Sequence, residues 1–367
     1  MESIFIPRYF WNGTNDEVCT NTAVLVRDNR IEQIDEPEKL RLGYPEAQVL
    51  ESNDWLMMPA FVDAHDHGRG MSPISFRTPD RALEMWLQDL NKLPAIPHYQ
   101  ACYYDGMRLV SSGVGMVLHS HNPNSFAQIR EEMVAAEKGY KDAGIRSILC
   151  PLYLDQNKRI YYDRDKFISD LPEPLRTNFA AGIHDKIMNM DEYFQLVEGI
   201  CEDLADDIKA GWTEVQLHPN GGQWCSDEAL LQMKEYALEH GMYIHLHLLE
   251  TQYQAEYAKR TWGKSFIKHY KEIGFLGPWV SFAHAVWLDE EDLQLIAESG
   301  AHLITNPSSN LRLRSGIFNM QRANELGIDC GIGLDGCAFD DDQDYLREIR
   351  VAWLNNLHNG VDGEVDY

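Results

Sequence analysis

Cysteines are few in this 367-residue chain, odd in number and scattered, and no two form a C-x-x-C pair. The seven are Cys19, Cys102, Cys150, Cys201, Cys225, Cys330 and Cys337. This usage is typical of reduced thiols and argues against a disulfide framework, so we expect a cytoplasmic protein. It also excludes the cysteine-ligated zinc site that accompanies an H-x-E and P-C-x-x-C pattern.

Basic residues are scarce too, with 32 Lys and Arg against 58 Asp and Glu, a formal net charge of −26. Nucleic acids and anionic membranes bind basic surfaces, so we expect neither as a partner. No uninterrupted apolar run approaches the ~20 residues of a membrane-spanning helix. The first residues, MESIFIPRYFWNG, lack a basic segment followed by an apolar one, so no signal peptide is predicted.

The order of apolar stretches indicates how the chain is organised. Residues 1–58 resemble short β segments, and TAVLVRDNRIEQID predicts a hairpin that turns at Asp28 and Asn29. From Pro59 onward, strand-like and helical stretches alternate eight times over roughly 300 residues, near the ~250 typical of a (β/α)₈ barrel. A long stretch at about 155–189 looks irregular. We predict an α/β fold, a (β/α)₈ TIM barrel over residues 59–367, with a doubly wound open sheet as the alternative.

Polar residues follow several of the predicted barrel strands where an active site would lie. They are His65 and His67 after the first strand, His247 and Glu250 after the fifth, His284 after the sixth and Asp335 after the eighth. Each has an ordinary explanation: a structural hydrogen bond for a histidine, a turn for Asp335, a first-turn acid for Glu250. Together, imidazole and carboxylate groups suit a divalent first-row metal with an open position for water.

The H-x-H pair in FVDAHDH fits this interpretation, because residues two apart on a strand share one face. A competing motif is GIGLDG at 331–336, which matches the dinucleotide pattern G-x-G-x-x-G. Its own Asp335 and the acids Asp340, Asp341 and Asp342 would repel a pyrophosphate, and only 31 residues follow Gly336, so we reject it.

Five stretches resemble successive signatures of the amidohydrolase superfamily. They are PAFVDAHDHG (59–68), IHLHLLET (244–251), SFAHAVWLDEEDL (281–293), LITNPSSNLRLRSG (303–316) and GIGLDGCAFDDD (331–342). The resemblance is to the mononuclear-metal branch that contains guanine, cytosine and adenosyl-homocysteine deaminases and triazine hydrolases.

The resemblance implies one divalent metal ion, Zn²⁺ with Fe²⁺ as the alternative. The implied ligands are His65, His67, His247 and Asp335. In the family the catalytic acid lies three residues beyond the ligand. Glu250 has this spacing from His247 but not from His245, so His247 is preferred. The fourth strand, EVQLHPNGG, lacks the lysine that bridges two metals in dinuclear relatives, so a mononuclear site is expected.

The resemblance also implies roles for the other residues. Glu250 would protonate a ring nitrogen of the substrate, while Asp335 and His284 would accept the proton of the attacking water. His284 could instead be a direct metal ligand. Gln223 and Asn310 are the candidates for substrate binding.

The expected reaction is hydrolytic deamination of an N-heteroaromatic small molecule such as a purine, pyrimidine, pterin or triazine. One alternative is displacement of chloride or an alkylamine from a similar ring, and another is a catalytically inactive barrel that acts as a scaffold. Relatives complete a small β-sandwich after the barrel, whereas this chain stops at Tyr367, just past the last predicted helix. We therefore expect residues 1–58 to be part of an incomplete sandwich with an unfilled face. A homo-oligomer that covers this face is one alternative to a monomer.

Overall fold

The structure, a computed structural model, describes residues 2–14, 17–156, 161, 164–181, 188–336 and 341–357. The chain divides into two compact units, Met1–Ala60 and Phe61–Tyr367. The chain end on which the expectation of an incomplete sandwich depends lies outside the described residues. So do Cys337 and Asp340.

The first unit is a five-stranded sheet with one helix. Its elements are β1 (Glu2–Trp11), β2 (Val18–Cys19), β3 (Ala23–Arg27), β4 (Arg30–Asp35), α1 (Pro37–Gly43) and β5 (Gln48–Met57). The strand order is β2-β1-β3-β4, and β5 pairs in parallel with β1. The predicted hairpin is confirmed, since Arg27 pairs with Arg30 and the two turn residues have φ of 50° and 62°. Positive φ at both central positions is the geometry of a type I′ turn, which Asp and Asn tolerate.

Ten strands are described in the second unit, and all of them pair in parallel. They are β6 (Phe61–Asp66), β7 (Val114–Ser120), β8 (Arg146–Cys150), β9 (Leu152–Tyr153), β10 (Thr213–Val215), β11 (His218–Pro219), β12 (Ile244–Leu248), β13 (Val280–His284), β14 (His302–Thr305) and β15 (Cys330–Ile332). They form sheets of order β10-β8-β7-β6 and β12-β13-β14-β15, and the pair β11-β9. The predicted α/β class is therefore confirmed.

Backbone hydrogen bonds join the edges of the two four-stranded sheets. After β10, Leu217 donates to the carbonyl of Tyr243 and accepts from His245, both at 2.9 Å. After β15, the Asp335 amide donates to the carbonyl of His65 at 2.8 Å. A Cβ on Gly333 would lie 2.7 Å from that same carbonyl oxygen. The second glycine of GIGLDG is thus required by a close approach of two strands.

Helices connect the strands of the second unit. They are α2 (Leu83–Asp89), α3 (His98–Ser111), α4 (Ile129–Ala143), α5 (Arg164–Asp170), α6 (Leu175–Ala181), α7 (Met190–Asp203), α8 (Ala205–Ala210), α9 (Asp227–His240), α10 (Gln252–Trp262), α11 (Phe266–Ile273), α12 (Glu290–Ser299), α13 (Pro307–Arg312), α14 (Met320–Glu325) and α15 (Tyr345–Asn356). A helix of the length and apolar character needed to cross a membrane is absent from the described residues.

The stretch at about 155–189, which looked irregular in the sequence, contains the helices α5 and α6. Each has only seven residues, and Pro172 and Pro174 lie between them. Two helical turns are too short to display the apolar periodicity on which helix prediction depends. Longer helices show their signals, as at Ser226, whose Oγ accepts from the Ala229 amide at 3.2 Å and caps α9.

Candidate active site

Six side chains with metal-binding or acid–base chemistry lie at the carboxyl ends of strands in the second unit. They are His65, His67, His247, Glu250, His284 and Asp335, the residues that the sequence predicted for the site. All six are buried, the most exposed being His67 at 9%. The structure thus brings together residues that are up to 270 positions apart in the chain.

The backbone is strained where three of these strands end. Leu249, His284 and Asp335 have φ values of 50°, 70° and 59°. A left-handed backbone is uncommon for residues other than glycine and persists only where the surrounding structure enforces it. Such strain clusters at functional sites, so it marks this end of the sheets as the candidate site.

Nitrogen and oxygen atoms crowd together at the centre of the group. Asp335 Oδ1 lies 3.3 Å from His65 Nε2 and 3.1 Å from His67 Nε2. His247 Nε2 lies 3.4 Å from His67 Nε2. Within the described chain, neither His65 Nε2 nor Asp335 Oδ1 has a hydrogen-bond partner. The candidate ligand atoms thus form two overlapping groups, His65 with His67 and Asp335, and His65 with His247 and His284, and each is close enough to hold a metal ion.

The opposite nitrogens of the imidazoles bind acceptors elsewhere in the protein. Nδ1 of His67 lies 2.7 Å from the Ser120 carbonyl, and Nδ1 of His247 lies 2.6 Å from the Asn220 carbonyl. A carbonyl oxygen only accepts, so Nδ1 of His247 carries the hydrogen and its Nε2 is bare. His67 Nδ1 also lies 2.7 Å from Asn122 Nδ2. His65 Nδ1 similarly lies 2.8 Å from His245 Nε2.

This donor set fits a divalent metal ion. Bare imidazole nitrogens and a carboxylate oxygen repel one another at 3.1–3.4 Å unless a cation lies between them. A tetrahedral ion with bonds of ~2.1 Å requires its ligand atoms to be ~3.4 Å apart, which agrees with these separations. Burial lowers the pKa of His67 to about 4, so its imidazole is in the neutral, metal-binding form at neutral pH.

Glu250 and His284 lie next to the group of ligand atoms. Glu250 Oε2 is 3.8 Å from His284 Nε2. Burial, with the nearby carboxylates of Asp335 and Glu84, raises the pKa of Glu250 well above its ordinary value. Burial lowers the pKa of His284 to about 4. The site thus pairs a carboxyl group that holds its proton with an imidazole that is free to accept one.

A cavity opens onto these groups. It is lined by His67, Arg69, Leu83, Trp86, Leu87, Asn122, Asn220, Trp224, His247, Glu250, His284, Leu313 and Asp335. Apolar and aromatic walls with a few convergent polar groups are typical of small-molecule sites. The acid and the candidate ligands thus lie on one wall of a cavity of this character.

Gln223 and Asn310, the two residues predicted to bind substrate, lie beside this cavity rather than among its lining residues. Gln223 Nε2 donates to the Tyr161 hydroxyl at 3.3 Å. Asn310 Oδ1 accepts from His284 Nδ1 at 2.9 Å. Asn310 is therefore placed to orient the imidazole ring of His284.

Several residues of the site were not selected from the sequence. His245 contacts His65, the Ser120 and Asn220 carbonyls contact imidazoles, and Arg69 and Trp86 line the cavity. His245 had a signal, since it shares a strand face with His247. A backbone carbonyl has no sequence signal, and nothing distinguishes Arg69 except its place two residues after the H-x-H pair.

A second cluster of histidine and glutamate lies at the end of β7. The Nε2 atoms of His98 and His121 lie 3.2 and 3.1 Å from Glu132 Oε2. Their ligand atoms are close enough to hold a cation. Glu132 also accepts from the backbone amides of Asn124 and Ser125, at 3.1 and 3.0 Å. Protein donors thus already satisfy this carboxylate, and a cation is not needed to explain the cluster.

Comparison with known proteins agrees with this geometry. The family model described as the amidohydrolase family matches residues 56–366. The chain is 27% identical over 360 residues to a 5'-deoxyadenosine deaminase of Methanopyrus kandleri, covering 95% of this chain and 73% of the relative. It is also 27% identical over 360 residues to a 5-methylthioadenosine/S-adenosylhomocysteine deaminase of Thermococcus onnurineus, covering 96% and 74%.

Among solved structures, an adenosine deaminase from Xanthomonas campestris with bound zinc superposes with a TM-score of 0.77 at 20% sequence identity. The match covers 96% of this chain and 73% of that one. At this identity the likeness concerns the fold, which is an α/β fold of the TIM-barrel type.

Proposed function

Because this chain belongs to the amidohydrolase family, we propose that it is a metal-dependent hydrolase that removes an amino group from an N-heteroaromatic ring. The observation that carries the proposal is the convergence of three imidazole nitrogens and one carboxylate oxygen at a cavity that also contains Glu250. Deaminase is the activity named for the relatives in Methanopyrus kandleri and Thermococcus onnurineus, which supports deamination as the reaction.

The proposed metal ligands are His65, His67, His247 and Asp335. One divalent ion suits this set, and we propose Zn²⁺ in preference to Fe²⁺, since zinc is bound in the similar Xanthomonas campestris structure. When bound, such an ion supplies Lewis acidity that lowers the pKa of water and so provides a nucleophile at neutral pH.

The side chains around the cavity account for the proton transfers. Asp335 and the neutral His284 accept the proton of the attacking water, which adds to the ring carbon that bears the amino group. Protonated Glu250 donates to the adjacent ring nitrogen, and the resulting carboxylate takes the remaining proton of the added hydroxyl and passes it to the amine, which leaves as ammonia. The proton held by Asp335 or His284 then returns to Glu250. Ser309 Oγ donates to Asp335 Oδ2 at 2.5 Å, and Asn310 orients His284, so both bases are held in place.

We propose that residues 59–367 form a closed (β/α)₈ barrel and that residues 1–58 are part of a β-sandwich. Two observations support closure. Hydrogen bonds of Leu217 join the end of β10 to β12, and the hydrogen bond from Asp335 to His65 joins the end of β15 to β6. In a closed barrel all strand ends that carry the site residues face one opening.

The proposed reaction is tested by ammonia release from the zinc-loaded protein. The panel consists of 5'-deoxyadenosine, guanine, cytosine, pterin and melamine, with atrazine as a substrate that can lose chloride. We expect ammonia from at least one amino-heterocycle and none from protein stripped of metal. Release of chloride or alkylamine alone would favour displacement, and metal binding without any turnover would favour a scaffold.

His245 is expected to act on the metal through His65. In the His245→Phe variant the acceptor 2.8 Å from His65 Nδ1 is lost while the buried volume is filled. Loss of such a supporting group weakens metal binding roughly 10- to 100-fold. The measurement is zinc affinity by competition with a chelating dye.

Two further variants accompany this measurement. His245→Gln retains an acceptor and should recover part of the affinity, whereas His240→Phe, on the exposed end of α9, should leave it unchanged. Unaltered zinc affinity in a folded His245→Phe protein would show that His65 needs no such support.

A further inference from the structure

Arg69 places a guanidinium group in the same cavity as Glu250 and His247. Its charged carbon lies 5.3 Å from the centre of the Trp86 ring, a cation–π contact. Nη1 of Arg69 is buried and has no hydrogen-bond partner in the described chain, while the carboxylates of Asp335 and Asp66 favour the charge of the guanidinium without bonding this atom. Buried polar atoms are normally hydrogen-bonded, so Nη1 is a donor that a further acceptor could satisfy.

Asn220 presents a second unused donor to the cavity. Its Nδ2 is buried without a partner in the described chain, and its backbone carbonyl is held by His247 Nδ1 at 2.6 Å. The cavity therefore offers two donors that the protein does not satisfy, one of them charged. A ligand that meets both must present oxygen or nitrogen acceptors.

The charges around the cavity favour an anion. The lining residues of the cavity include two carboxyl groups, Glu250 and Asp335, and one guanidinium group, that of Arg69. With a divalent cation bound at Asp335, the cation and Arg69 would together outweigh both carboxyl groups even if both were ionised. A negatively charged ligand is attracted to such a cavity, and a ligand without an acceptor leaves Nη1 of Arg69 unsatisfied.

We propose that Arg69 binds a carboxylate on the substrate, so that the substrate class is an amino-substituted N-heteroaromatic acid. The planar fork of a guanidinium matches the two oxygens of a carboxylate, and such bidentate pairs are short and strong. Trp86 holds the guanidinium plane, and Asn220 donates to a further acceptor on the ring. This inference rests on the proposed deamination for the identity of the ring, and on Arg69 and Asn220 for the acid.

The test uses two pairs of compounds that differ only in a carboxylate: pterin and pterin-6-carboxylate, and cytosine and 5-carboxycytosine. Binding of the pterins to the zinc-loaded protein is measured by their fluorescence, and ammonia release is measured for all four compounds. We expect the carboxylate member to bind roughly 10- to 100-fold more tightly than its neutral partner.

Variants assign this preference to Arg69. Arg69→Met should remove the preference by raising the Kd or KM of the carboxylate member, with a smaller change for the neutral one. Arg69→Lys should recover part of it, since charge is restored without the fork. Arg146→Met removes an exposed arginine at the start of β8 and should change neither, and thermal unfolding confirms that each variant is folded.

The outcomes separate this inference from the proposed function. Preferred binding of the carboxylate member without ammonia release supports the role of Arg69 and contradicts deamination. Ammonia release with equal affinity for both members of each pair supports deamination and overturns the role of Arg69. Absence of binding by either member, or a preference that survives in Arg69→Met, also overturns it.

Discussion

In the Glu250→Gln variant, kcat is expected to fall about 10²- to 10⁴-fold while the metal content stays at the wild-type level. Glutamine keeps the shape of the side chain but cannot donate an acidic proton to a ring nitrogen. The backbone should stay in place, because the Glu250 amide donates to Gln254 Oε1 at 2.9 Å. The measurements are ammonia release at saturating substrate and elemental analysis of the purified protein.

A matched control for this variant is Glu256→Gln, which changes an exposed glutamate on α10. It should leave both kcat and metal content unchanged. Full activity of Glu250→Gln would show that another group is the acid. Loss of metal from the variant would instead show that Glu250 is a ligand.

In the Asp335→Asn variant, both the bound metal and turnover are expected to be lost. The change removes the one charged ligand from the proposed set while keeping its size and its contact with Ser309. Zinc binding of about 12 kcal/mol shared among four ligands corresponds to ~3 kcal/mol each, so affinity should fall roughly 100-fold or more. Zinc should then raise the Tm of the wild-type protein far more than that of the variant, because a ligand that binds only the folded state stabilises it by RT ln(1 + [L]/Kd).

Asp329→Asn is the corresponding control, since Asp329 is exposed and lies just before β15, at the opposite end of the strand. It should retain both zinc and activity. A folded Asp335→Asn protein with wild-type zinc affinity would exclude Asp335 from the ligand set and with it the proposed arrangement of the site.

The family, the α/β class and the Asp28–Asn29 hairpin were predicted from the sequence and are confirmed. These features depend on local pattern: apolar alternation, turn residues with positive φ, and short motifs in a constant order. Helices α5 and α6 were missed because seven-residue helices separated by prolines have no readable period. The positions of candidate ligands at strand ends followed from the strand assignments alone.

The choice between His245 and His247 shows the limit of what local sequence pattern can predict. Both lie on the same face of β12, so the sequence separates them only through the spacing to Glu250. In the folded chain His247 contacts His67 and lines the cavity. His245 instead contacts Nδ1 of His65, which is 180 residues away in the chain. Contacts over such separations depend on how the sheets pack.

Residue type and spacing were thus sufficient to specify which side chains have metal-binding and acid–base chemistry, because that chemistry belongs to the side chains themselves. Packing was needed to reveal which of them meet, that Nδ1 of His247 is held by a carbonyl, and that Nη1 of Arg69 is buried without a hydrogen-bond partner in the described chain. Hydrogen bonding, burial and charge pairing involve groups that are far apart along the chain. These contacts form only when the strands pack together, so the sequence does not show them.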